Sequence, residues 1–151
     1  MRISSTYYYA DLVPFPACCG MALLHYFGVD KTPPDRKQAY NEFLEQVLIA
    51  TYRMGVGKLV FTDRVRDEQN MKISPSLYEM AILNQDKVHM GPPSVNPVHN
   101  SQVVVCEITL DRADLRIKSE TLQQKELQEI KHKQTIQQQN VYTNIFGATN
   151  P

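Results

Sequence analysis

Cys18 and Cys19 stand side by side behind Pro16-Ala17 and before Gly20, and they are the residues whose chemistry is easiest to state. A cysteine at the entry to a helix lies near unpaired backbone N–H groups and the positive end of the helix dipole. Both lower its pKa and favour the nucleophilic thiolate. The run 18–27, CCGMALLHYF, is apolar and compact, preceded by Pro16 and closed by Gly28, which reads as a short helix with a glycine stop. The same helix start offers a second chemistry. Backbone N–H groups beside Cys19 and Gly20 can receive a phosphate or carboxylate with no basic residue. Tyr7 and Tyr9 can stack on a ring, and His89 can add a polar contact, so these five residues form the expected ligand-binding set.

A thiolate needs a base. His25 is excluded on the helical reading, because seven residues of helix separate it from Cys18 by about 10 Å, too far for a direct hydrogen bond. His99, just ahead of an apolar strand, is the remaining candidate, and Cys18 with His99 is the expected catalytic pair. Cys18-Cys19-Gly20-Met21-Ala22 followed by Tyr26 resembles the cysteine-helix signature of NlpC/P60-type papain-like hydrolases. That resemblance aligns Cys18 with the nucleophile and His99 with the strand-borne histidine. Ala17 occupies the place of the family's aspartate.

Other motifs give less. His89 and His99 with the two cysteines do not have zinc-ligand spacing, and no metal or cofactor is expected. Gly55-Val56-Gly57-Lys58 follows a helix and precedes a strand, the reverse of a phosphate loop. Cys106 reads as core. Glu107, in the same strand, must face solvent, a partner or a site.

The elements that must hold these residues follow from periodicity and breakers. A Tyr-rich strand is expected over 5–11, ended by Pro14 and Pro16. A helix capped by Thr32 carries Ala39, Tyr40, Phe43, Leu44, Val47, Leu48 and Tyr52 at three- and four-residue steps and stops at Gly55. A strand over 58–62, a polar loop over 64–72, a short helix to Leu83, a long loop over 84–101 and a buried strand over 103–109 complete the core. From Asp114 the chain turns Gln-, Lys- and Glu-rich, and a helix with a thin apolar stripe is expected over 122–140. The fold class is α+β (or α/β): a small mixed or antiparallel sheet, helices on one face and an appended C-terminal helix. The division is a core over 1–113 and a polar helix and tail over 114–151.

Bulk properties bound the function. Sixteen basic and sixteen acidic residues cancel in 151, against the basic surplus of a nucleic-acid grip. No apolar run reaches the length of a membrane span. Three cysteines, two adjacent, are not a disulfide framework and fit a reducing, cytoplasmic compartment. The expected function is therefore a small non-enzymatic binding or regulatory protein, an accessory factor of the kind viruses also use. It would hold an anionic small molecule such as a nucleotide, or a protein partner, near the Cys18–Gly20 helix start, and its C-terminal helix would join copies in a homo-oligomer. The alternative is a thiol-dependent hydrolase or transferase.

Overall fold

The computed structural model describes residues 1–15, 17 and 20–146. In chain order the elements are β1 (Arg2–Ser4), β2 (Tyr8–Phe15), β3 (Met21–Val29), α1 (Arg36–Arg53), β4 (Lys58–Arg64), α2 (Glu68–Ile73), α3 (Leu77–Leu83), β5 (His89–Met90), β6 (Ser94–Asn96), β7 (Ser101–Thr109) and α4 (Arg112–Phe146). The fold is α+β, with one mostly antiparallel seven-stranded sheet in the order β1-β2-β3-β4-β7, and β5 and β6 both on the outer edge of β7. Among the described residues only β3 and β4 run parallel. Contacts divide the chain into a unit over Met1–Leu115 and a second over Arg116–Pro151, which carries most of α4. Among the described residues no helix is long and apolar enough to cross a membrane.

One sheet face makes the core. Leu12 pairs with Leu24, Ala22 with Leu59, Leu59 with Ile108 and Phe61 with Cys106, so buried side chains of four strands share this face. Helix α1 covers them because its apolar residues recur along one face; Tyr40, Phe43 and Val47 are fully buried. Its cap is Asp35, whose side chain accepts from Gln38 N, rather than Thr32. Pro33 biases Thr32 toward extended backbone and delays the helix. Gly55, at φ 80°, stops it as expected.

A polar knot ties α1 to α3. Tyr40 Oη donates to Glu79 Oε1 at 2.5 Å and accepts from Ser76 N at 3.0 Å. Arg36 donates to both Glu79 oxygens at 3.1 and 3.2 Å and to the Met71 and Lys72 carbonyls. Burial, then the Glu79 hydrogen bond, raises the Tyr40 pKa far above the tyrosine range, and burial raises Tyr8 as well. Burial, with the nearby Asp63 charge, pushes the Cys106 thiol up to about 11 from 9.0. In all three the folded state holds the proton more tightly than the unfolded chain does. Their contribution is complete below the unfolded pKa values and is lost as pH rises through the folded ones. Stability should fall first between pH 9.0 and about 11 as the unfolded chain ionises Cys106, and more steeply above 10.0 through the tyrosines. Urea melts across this range check it; a midpoint flat from neutrality to pH 11 would contradict the burial of these groups.

Several expected elements change. Residues 21–27 are not a helix: β3 runs from Met21 to Val29 and pairs with β2 on both sides of a bulge. Met, Ala and Leu are good helix formers, but propensity is a small term, and pairing with two neighbouring strands overrides it. Pro14 does not end β2, which extends to Phe15. The polar loop contains α2, and the long loop contains β5 and β6, whose Gly91-Pro92-Pro93 link bends the chain along the β7 edge.

Candidate functional site

β3 and β4 begin side by side and then part. Met21 pairs with Lys58, Ala22 with Leu59 and Leu23 with Val60, and no further pairing joins them. Residues 24–29 of β3 stay paired with β2, and residues 61–64 of β4 stay paired with β7. Each parted edge therefore points half of its N–H and C=O groups into the gap.

A bulge accompanies the parting. Tyr9 faces Gly28 and Asp11 faces His25, so Ala10 alone is opposed by both Tyr26 and Phe27. The extra residue bends and twists β3, and Tyr26 sits at φ 54°. On the other side, Asp63 Oδ2 accepts from Tyr78 N at 2.9 Å and holds the start of α3 over the end of β4. The result is a cleft of about 300 Å³ between β3, β4 and the α3 entry, lined among others by His25, Tyr26, Thr62, Asp63, Arg66 and Ser76.

The chemistry of the lining is uneven. His25 Nε2 is buried and has no hydrogen-bond partner among the described residues, a state that buried polar atoms seldom keep without a reason. The Asp63 carboxylate is committed: Oδ1 accepts from Arg64 N at 2.8 Å while Oδ2 takes Tyr78. Arg66 rests on Ser74 Oγ at 3.2 Å. Ser76 Oγ caps α3 on Glu79 N. His25 Nε2 is thus a ring nitrogen at the cleft that no described group engages.

The residues singled out from sequence do not assemble. Cys18 and Cys19 lie outside the described residues. Gly20, at φ 59°, sits in the connection from β2 to β3, its carbonyl accepting from Gly57 N at 2.9 Å. It is thus at the Lys58 and Thr109 end of the sheet. His99 is exposed in the turn before β7, beyond the opposite end, roughly 26 Å away by the length of the strand. The expected pairing of Cys18 with His99 falls on a residue outside the described ones, and the placement of Gly20 and His99 at opposite ends of the sheet gives the thiol-hydrolase reading no support.

The anion site is corrected too. Tyr7 lies at the far end of β3 from Gly20, where its carbonyl accepts from Asp30 N and its ring meets Lys31 at 5.6 Å. The Tyr9 ring is held between the Arg2 guanidinium, 4.5 Å away, and the Gly28 backbone, where any side chain would overlap it. His89 is exposed on β5, across β7 from the cleft. Nor does α1 present an anion site, because the Asp35 carboxylate already occupies its N-terminus. Glu107 pairs with Lys58 at 3.4 Å.

His25 was set aside and Tyr26 passed over because the run holding them was read as helix. In strand β3 both line the cleft instead.

No protein-family model matches the chain, and no curated protein matches it. Among solved structures it is similar to the ribosomal-protein-S18-alanine N-acetyltransferase from Escherichia coli, with 12% identity and a TM-score of 0.45 over 70% of this chain and 64% of that one. It is also similar to a protein assigned to the GNAT family of acetyltransferases from Desulfovibrio desulfuricans, with 16% identity and a TM-score of 0.45 over 68% of this chain and 60% of that one. The chain thus spans less than two thirds of either structure. The expected binding module at a helix start is corrected on the fold itself, since the run from Met21 that was read as helix is strand β3.

Proposed function

We propose that the chain is an acyl-transfer enzyme and that the gap between β3 and β4 holds the extended arm of the acyl donor. The parting of the two strands carries this reading. Two diverging edges with unpaired N–H and C=O groups suit a narrow ligand bearing amides at intervals, which joins the sheet as an added strand would. The arm of a pantetheine thioester has that form. At the bulge, backbone N–H groups released from the ladder can polarise a thioester carbonyl.

The step itself is a substitution at that carbonyl. An acceptor amine nitrogen attacks the carbonyl carbon, the C–N bond forms, the C–S bond breaks and the thiol leaves. His25 Nε2 takes the amine proton, and the thiolate leaving group regains one from water or from the imidazolium. The acetyltransferase names of the two similar structures belong to the same reaction class; the reading rests on the cleft.

The test is release of free thiol from acetyl-CoA in the presence of a panel of primary amines. Amine-dependent release above the protein-free rate is expected. Absence of release with every amine, together with no binding of acetyl-CoA, would remove the reading.

Two coarser expectations extend with it. Exposed Leu127, Ile130, Val141 and Ile145 on α4 support pairing of that helix with a second copy. Sedimentation should then give a dimer that Ile130→Glu dissociates, and a monomer for the unaltered chain would refute the pairing. Cysteine usage supports a cytoplasmic setting.

A further inference from the structure

We propose that Tyr26 is a platform for a planar ring on the acyl acceptor, which makes the acceptor class an arylalkylamine. The inference rests on the acyl-transfer reading of the cleft. Tyr26 is a bulky residue held at φ 54°, a left-handed conformation that side chains with a Cβ resist and glycine adopts freely. Packing offsets little of that strain, because Tyr26 is 73% exposed and its ring meets only an edge of the cleft at His25. A glycine would serve the bulge at lower cost, so the ring is retained for something other than the fold.

Its position indicates what. The Tyr26 ring lies 4.3 Å from the His25 ring, tilted by 43°, and both line the cleft. A flat group entering the mouth meets an open aromatic face directly beside the imidazole proposed to take the amine proton. Offset or edge-on ring contacts are the favoured use of such a face, and an ammonium on the incoming ligand adds a cation–π term. A two-carbon tether between ring and amine places nitrogen and ring on adjacent residues, which is the spacing His25 and Tyr26 present.

The chain contains no tryptophan, so indole fluorescence belongs wholly to an added probe. Tryptamine is titrated with the full chain, with Tyr26→Phe and with Tyr26→Gly, alongside thermal unfolding of each. The unaltered chain and Tyr26→Phe are expected to bind alike. Tyr26→Gly is expected to bind at least tenfold more weakly while its Tm is unchanged or raised, a combination that a structural role for the ring would not produce. Hexylamine is expected to compete poorly. Equal binding by Tyr26→Gly, a lowered Tm for that variant, or displacement of tryptamine by an equal concentration of hexylamine would each overturn the proposal. Tyr26-dependent tryptamine binding without thiol release from acetyl-CoA would uphold the platform and remove only the transfer reading.

Discussion

His25→Asn is expected to lower amine-dependent thiol release by roughly a hundredfold or more, the usual contribution of a positioned acid–base group. Binding of acetyl-CoA should remain close to that of the unaltered chain. The reasoning is specific to one atom. Nε2 is buried at the cleft and has no hydrogen-bond partner among the described residues, so its loss leaves no broken network behind. Two other polar groups of the lining are committed to holding the α3 entry, Asp63 through Tyr78 N and Ser76 through Glu79 N. Asparagine keeps a polar side chain of similar reach at the site but cannot accept a proton near neutral pH. The check is a steady-state comparison of kcat and KM. A kcat within threefold of the unaltered chain would show that the proton goes elsewhere.

Arg36→Met is expected to cost about 3 kcal/mol, since removing one partner of a buried ion pair leaves the other uncompensated. Glu79 is buried, and Arg36 supplies its two guanidinium contacts at 3.1 and 3.2 Å. Tyr40 then remains as the hydroxyl donor to a carboxylate that cannot reach water freely. The methionine keeps the length and most of the apolar stem of arginine, which confines the change to charge and hydrogen bonding. Combining Arg36→Met with Glu79→Leu should recover part of the loss, because the buried charge goes with its partner. Urea denaturation of the unaltered chain and the two variants measures both. A single-variant loss below about 0.5 kcal/mol, the range of ordinary surface substitutions, would mean that solvent screens the pair and that the knot does not dock α3 on α1.

What the sequence made legible follows from how local each signal is. The α1 face of Tyr40, Phe43, Leu44 and Val47 is written at three- and four-residue steps, and the apolar centre of β7 is a continuous run; both elements form where expected. β3 was hidden because Met21, Ala22, Leu23 and Leu24 are apolar on both sheet faces, so no alternation marks a strand between neighbours. The cleft was hidden for a stronger reason. It exists because β3 stops pairing with β4 after Leu23 and Val60, a relation between segments more than thirty residues apart. His25 and Tyr26 could have been placed only by knowing that a bulge falls between them and Asp11. A glycine-free run with an aromatic in left-handed backbone has no signature in a single sequence.

The most direct measurement is hydrogen exchange, read by mass spectrometry, with and without acetyl-CoA. Slowed exchange is predicted in peptides covering residues 24–29 of β3 and 61–64 of β4, the edges that face the gap, with little change over the already paired 21–23 and 58–60. Protection confined to any other segment, or none at ligand concentrations that support thiol release, would contradict the parted strands as the place where the donor binds.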